Sequence, residues 1–277
     1  MKLRLIFCLI TLIPFLASGQ SSDSKKPFDA NKDLLLLNLD CKTDVDDVHT
    51  LAGFVTLLSH PDMPKVNYHV VAGTYGIQEG LYVPPNPLFE LALEDKDWSD
   101  AHADRNQAVE RVAKLATNTL KNGGDIWIAD GGQSDFSAML VKVVERDIPD
   151  LIIAERIHIV QHSNWNEEVT SPQALAFVQE ETDYHKIPDG NAVGNGTPGF
   201  RTPEFDAWKT MLSDEELLKI WELAVEIGLE FNAKEGRYNN EAVASGGVDF
   251  SDLSEVCYIL GLEDIKDTQE FFERYGR

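Results

Sequence analysis

Leu34-Leu35-Leu36-Leu37-Asn38-Leu39-Asp40-Cys41-Lys42-Thr43-Asp44-Val45-Asp46-Asp47-Val48-His49 runs a string of leucines directly into four aspartates. An uninterrupted apolar run bounded by polar residues predicts a strand buried on both faces, as in a parallel sheet. Val48, Leu51, Ala52, Val55 and Leu58 then recur at helical spacing. The carboxylates therefore fall on a strand-to-helix turn, which in an open α/β sheet lies at the carboxyl end of the strands, where ligand crevices form. Four carboxylates within eight residues repel one another, so they either splay into water or gather around a cation. Helix capping by Asp44 or Asp46, with a first-turn acid complementing the dipole, accounts for some of them. It does not account for Asp40, which stands at the strand end before the turn begins.

Outward from this stretch the same grammar repeats. Asn67 to Gly73 reads as a second strand, ending in Thr74-Tyr75-Gly76-Ile77-Gln78. A helical stripe from Ala108 to Leu120 stops at Asn122-Gly123-Gly124, and Asp125 to Ala129 reads as a strand. Asp130-Gly131-Gly132-Gln133-Ser134 is then a tight turn before another helix. Arg156 to Gln161 alternates as a strand and enters His162-Ser163-Asn164-Trp165-Asn166-Glu167-Glu168, a polar and aromatic stretch ahead of a helix opened by Pro172. The segment from Tyr82 to Trp98 has no clean period and reads as a long loop, and Pro188 to Arg201 as a glycine-rich loop over or beside the site. Near the end, Asp249-Phe250-Ser251-Asp252 precedes a helix, and Asp252 with Glu255 is also a good N-cap signature. The fold class expected is a single α/β domain with a mostly parallel central sheet and helices on both faces.

Lys2 and Arg4, an apolar run from Leu5 to Ala17, and Ala17-Ser18-Gly19 read as a signal peptide over residues 1–19. Residues 20–32 read as a flexible leader and 33–277 as the domain, giving a secreted or periplasmic product with no membrane insertion. Cleavage removes two basic residues and no acidic ones, moving the formal charge from −23 to −25. Such a surface repels phosphate backbones and anionic membranes, which excludes nucleic acid as a partner. Cys41 and Cys257 remain after cleavage, too few for a disulfide framework. A homo-oligomer stays open.

The first turn resembles the inosine/uridine-preferring nucleoside hydrolase superfamily, some of whose members carry Asp-Thr-Asp-x-Gly-Thr-Asp-Val-Asp-Asp. Asn38 stands on the first Asp, Asp40 on the second and Lys42 on the Gly, while Thr43-Asp44-Val45-Asp46-Asp47 matches in full. The resemblance implies one Ca²⁺ held by Asp40, Asp47, Asp252 and the backbone carbonyl of Asp130, whose carboxylate is a further candidate and for which Asp249 is the fallback to Asp252. It implies Asp40 as the acceptor of the attacking water's proton and Asp46 as a contact to the ribose hydroxyls. The family's sugar-binding Glu-Phe-Asn segment is similar in chemistry to Asn164, Trp165, Asn166 and Glu167. Ile77 falls where the family has a sugar-contacting Asn, with Gln78 beside it. Ser251 falls where it has a leaving-group His, a role left to His162 or His49. The implied activity is Ca²⁺-dependent hydrolysis of the N-glycosidic bond of a ribonucleoside or related N-glycoside, the partner being a small nucleoside or sugar. The alternatives are an exported non-catalytic carbohydrate- or nucleoside-binding protein and, last, a magnesium-dependent phosphohydrolase.

Overall fold

A computed structural model describes residues 26–276; the stretches read as a signal peptide and as the first part of a leader lie outside the described residues. The leucine run forms β1 (Leu34–Leu39), buried along its whole length. Its two faces feed two separate cores, which is why it shows no alternation. Leu35, Leu37 and Leu39 pack in the core that also holds residues of helices Asp46–Ser59, Glu215–Phe231 and Leu253–Leu260. Leu34 and Leu36 pack with residues of helices Arg105–Lys121 and Asp135–Asp147.

β1 pairs in parallel with β2 (Asn67–Ala72) on one side. A third strand, β3 (Trp98–Asp100), extends the sheet beyond β2. On the other side of β1 come β4 (Ile126–Gly131), β5 (Ile157–His162) and β6 (Asp183–Ile187), so the sheet order is β3-β2-β1-β4-β5-β6. Every pairing is parallel. Strand order reverses between β1 and β4, and in such a sheet the crevice opens at the carboxyl ends of those two strands. Both aspartate-bearing and glycine-bearing turns leave from that point.

Two stretches differ from what their sequence suggests. Part of the expected leader is anchored to the sheet: the Phe28 ring meets Trp127 edge-on with centroids 6.5 Å apart, and Lys26 pairs with Asp125. The stretch from Tyr82 to Trp98 is not one long loop, since it holds helix Asn86–Ala92 and the start of β3. A two-stranded antiparallel pair, β7 (Arg201–Thr202) with β8 (Val248–Asp249), lies outside the main sheet and sets Arg201 opposite Asp249. No helix among the described residues is long and apolar enough to cross a membrane. Cys41 and Cys257 are buried free thiols.

Candidate functional site

Beyond β1 the chain turns sharply, and Cys41 takes a left-handed backbone (φ 51°), a conformation uncommon outside glycine. This turn folds the backbone onto its own carboxylates. The Cys41 amide donates to Asp47 at 2.7 Å and the Lys42 amide to Asp40 at 2.6 Å. The Lys42 ammonium leaves the aspartates and sits 4.7 Å from the centre of the Tyr75 ring. Helix Asp46–Ser59 begins after Val45 with no side-chain cap, so Asp44 and Asp46 are not spent on capping. Capping fails for Asp252 as well. Its carboxylate lies 2.9 Å from His162 Nε2 and 3.4 Å from Thr50 Oγ1, and Glu255 accepts from the His162 amide at 2.8 Å.

The glycine turn after β4 makes the convergence sterically possible. A Cβ at Gly132 would stand 2.5 Å from the Asp40 Cβ, and one at Gly131 2.9 Å from the Asp252 Cβ. Only bare backbone fits between those two acids.

Two overlapping carboxylate groups result, each with oxygens within 4.8 Å of one another: Asp46, Asp47 and Asp252, and Asp44, Asp46 and Asp249. They differ in how their charge is met. In the second, Asn240 Nδ2 bridges Asp249 at 2.8 Å and Asp44 at 3.1 Å, and Arg201 Nε stands 3.3 Å from Asp249. In the first, Asp47 is only 2 % exposed, and its Oδ1 has no hydrogen-bond partner. A buried carboxylate oxygen without a donor carries a large desolvation cost, which a cation removes. The all-oxygen donor set suits a hard ion such as Ca²⁺ or Mg²⁺.

Burial, with the neighbouring carboxylates adding to it, pushes Asp46 and Asp47 well above the ordinary carboxylate range. Burial raises Asp40 to about 7 against the lowering effect of the Lys42 amide, and burial with the Asp249 charge raises Asp44 to about 7. Asp40 adjoins the first group rather than belonging to it; Asp46 holds the position the resemblance gave to Asp40. Asp40 Oδ2 is met by the Gln78 amide at 3.2 Å, and Gln78 is buried while Ile77 is 60 % exposed. Gln78 in turn bonds Gln133. The Asp130 carboxylate turns away from the aspartates to Asn38 Nδ2 at 3.1 Å and Ser137 Oγ at 2.9 Å. Its carbonyl accepts from the Gly132 amide at 2.7 Å.

A cleft of about 620 Å³ opens over these groups, with His162, Trp165, Asn166 and Arg201 along its sides. Asn164 to Glu168 is a short helix rather than a loop, and this divides the expected sugar contacts. Trp165 and Asn166 line the cleft, whereas Asn164 and Glu167 share the other face, as residues three apart on a helix do, and both bond Lys186. His162 is held well above its ordinary pKa: burial opposes its charge, but Asp189, Asp252 and Glu255 outweigh it. His49 is a core residue. Its Nδ1 accepts from the Asp249 amide at 3.2 Å, the ring packs against Trp221, and burial lowers its pKa to about 4.

Gln133, Asn240 and Arg201 are not singled out in the sequence as site residues. Gln133 sits in a glycine turn after a strand and Arg201 closes the glycine-rich loop expected over or beside the site, so both positions carry a local signal, whereas Asn240 carries none. Neither a protein-family model, nor a curated protein, nor a solved structure matches the chain.

Proposed function

We propose that the cleft hydrolyses the N-glycosidic bond of a ribonucleoside or related N-glycoside, with Ca²⁺ held by Asp46, Asp47 and Asp252, in the manner of a divergent nucleoside hydrolase. The observation that carries this reading is the orphaned Asp47 Oδ1, buried in a carboxylate group on the wall of a nucleoside-sized cleft. The Asp130 carbonyl is retained as a further ligand from the resemblance. When bound, the ion supplies Lewis acidity toward a water and the sugar hydroxyls.

The rest of the chemistry belongs to the chain. Asp40, just past the end of β1 with the Gln78 amide 3.2 Å from its Oδ2, accepts the proton of the attacking water. Asp46, partly open to the cleft, accepts hydrogen bonds from the vicinal hydroxyls. The exposed Trp165 indole covers the sugar or base, and the Asn166 amide orients it. His162, charged and on the cleft wall, gives its proton to the departing base, a role closed to His49, which lies in the core and does not line the cleft. The surrounding carboxylates favour the cationic, oxocarbenium-like sugar of the transition state.

A second reading, a binding protein without turnover, is favoured by Ser251, whose hydroxyl is buried and no substitute for a leaving-group acid. Incubating the protein with a nucleoside panel and Ca²⁺, and following free base and reducing sugar, separates the two. Asp40→Asn should lower hydrolysis by about 10² to 10⁴, the span of a general base, with a much smaller loss of affinity. Tight nucleoside binding by the wild type with no base released on prolonged incubation overturns the catalytic reading.

A further inference from the structure

We propose that His158, Asp183 and His185 form a second metal site, for a late first-row divalent ion of the Zn²⁺ class, at the amino end of the sheet. His158 lies four residues before His162 on β5, about 13 Å of strand away from the cleft. Register brings the donors together. His158 is paired with Asp183 and Val160 with His185, so alternate positions of β5 and β6 project side by side on one face.

Both imidazoles converge on a single carboxylate oxygen. Asp183 Oδ2 is 2.6 Å from His158 Nδ1 and 2.8 Å from His185 Nε2. Two nitrogens and one oxygen form the donor set of an open tetrahedral zinc site, with water in the fourth position, and imidazole selects such ions over Ca²⁺. Asp183 and His185 are partly exposed at the edge strand, which gives the ion a path from solvent.

The outer atoms of the two rings carry the inference. Metal-bound histidines donate their other N–H to an oxygen that fixes the ring. His158 Nε2 is buried without a hydrogen-bond partner, and the nearest carboxylate oxygen, Asp125 Oδ2, is 3.6 Å away. If Nδ1 spends its proton on Asp183, a lone pair on Nε2 faces that carboxylate. With an ion on Nδ1, Nε2 carries the proton and Asp125 becomes its acceptor. At His185 the outer nitrogen already has an oxygen: Nδ1 is hydrogen-bonded with the Tyr258 hydroxyl at 3.4 Å, which can accept its proton once an ion sits on Nε2. The bound ion would pin the edge strand β6 to β5.

The test uses the untagged full chain, stripped with chelator, in an Asp47→Asn background that silences the aspartate group. Co²⁺ is titrated while its visible absorption is followed, and Zn²⁺ is then added in competition. One equivalent of Co²⁺ should give a low-symmetry spectrum that Zn²⁺ abolishes and Ca²⁺ does not. His185→Ala and Asp183→Asn, both at partly exposed positions, should remove it. Tyr258→Phe, which keeps the ring and loses only the outer oxygen, should weaken Zn²⁺ about 10-fold or more. A Co²⁺ spectrum unchanged by His185→Ala, or no stoichiometric binding by a folded protein, overturns the proposal and leaves the three side chains as a hydrogen-bonded clasp.

Discussion

Removing the Asp40 charge should stabilise the metal-free protein at alkaline pH, although the residue is assigned to the working site. Asp40 is 5 % exposed, and its pKa rises from 3.8 to about 7, mainly through burial. Below pH 3.8 the acid is protonated in both the folded and the unfolded chain and makes no difference. Between 3.8 and 7 the unfolded chain releases the proton while the folded chain keeps it. Stability therefore falls as pH rises, and the full penalty is reached above about 7. Three pH units at ~1.36 kcal/mol each give ~4 kcal/mol, against a total stability of about 5–15 kcal/mol for a domain. Asp40→Asn is exempt from this loss and also relieves the repulsion on Asp47. The Asn oxygen can still accept from Lys42. Its NH₂ group can meet Gln78 Oε1, which now lacks a partner, if that amide turns over. Urea unfolding in chelator should show the two proteins drawing together at pH 4. At pH 8 the variant should have its midpoint higher by more than about 1 M, for a slope of ~2–3 kcal/mol/M. Excess Ca²⁺ should raise the midpoint of both proteins, because Asp46, Asp47 and Asp252 are all present in the variant. Parallel stability curves for the two proteins across pH 4–8 in chelator would refute the claim that Asp40 is held in an apolar, carboxylate-crowded position.

Ca²⁺ at 100 times its dissociation constant should add about 2.7 kcal/mol to the wild type, read as a rise in Tm, and Asp47→Asn should lose most of it. Gly132→Ala brings a Cβ to within 2.5 Å of the Asp40 Cβ. It should cost about 1–3 kcal/mol in denaturant unfolding and abolish hydrolysis and the calcium shift together. Trp165→Ala, at a side chain 45 % exposed, should leave Tm unchanged and weaken nucleoside binding by ~0.5–1.5 kcal/mol in calorimetry. Glu167→Ala should leave binding unchanged, because its carboxylate pairs with Lys186 away from the cleft.

The part of the fold legible in the sequence is the part decided by local pattern. The Leu34–Leu39 run, its helix and the glycine turn after β4 identify both strands at the crevice, and with them Asp40, Asp46 and Asp47. β3 is not legible because three residues at a sheet edge carry no period, and its neighbouring helix opens through Pro87 inside an aromatic stretch. Asn164 to Glu168 reads as converging polar groups until its helical turn separates Trp165 and Asn166 from Asn164 and Glu167. Asp252 carries a capping signature, yet its carboxylate goes to His162, 90 residues away in the chain. Arg201 and Asn240 offset the charge of Asp44 and Asp249 through a two-residue strand pair that no neighbouring sequence announces.

The packed segment ahead of β1 makes the starting point of a recombinant chain a chemical variable. Lys26 and Arg156 are the two cations on Asp125, and Phe28 lies against Trp127, whose indole stacks on His158 at 4.0 Å between centroids. An expression product begun at Asp33 would keep every strand of the sheet. It would also hand Asp125 back half of its neutralised charge and uncover the ring that steadies His158. Two preparations, one retaining Lys26 and Phe28 and the other begun at Asp33, would then differ in how readily they take up zinc, and a purification history would read as a property of the protein.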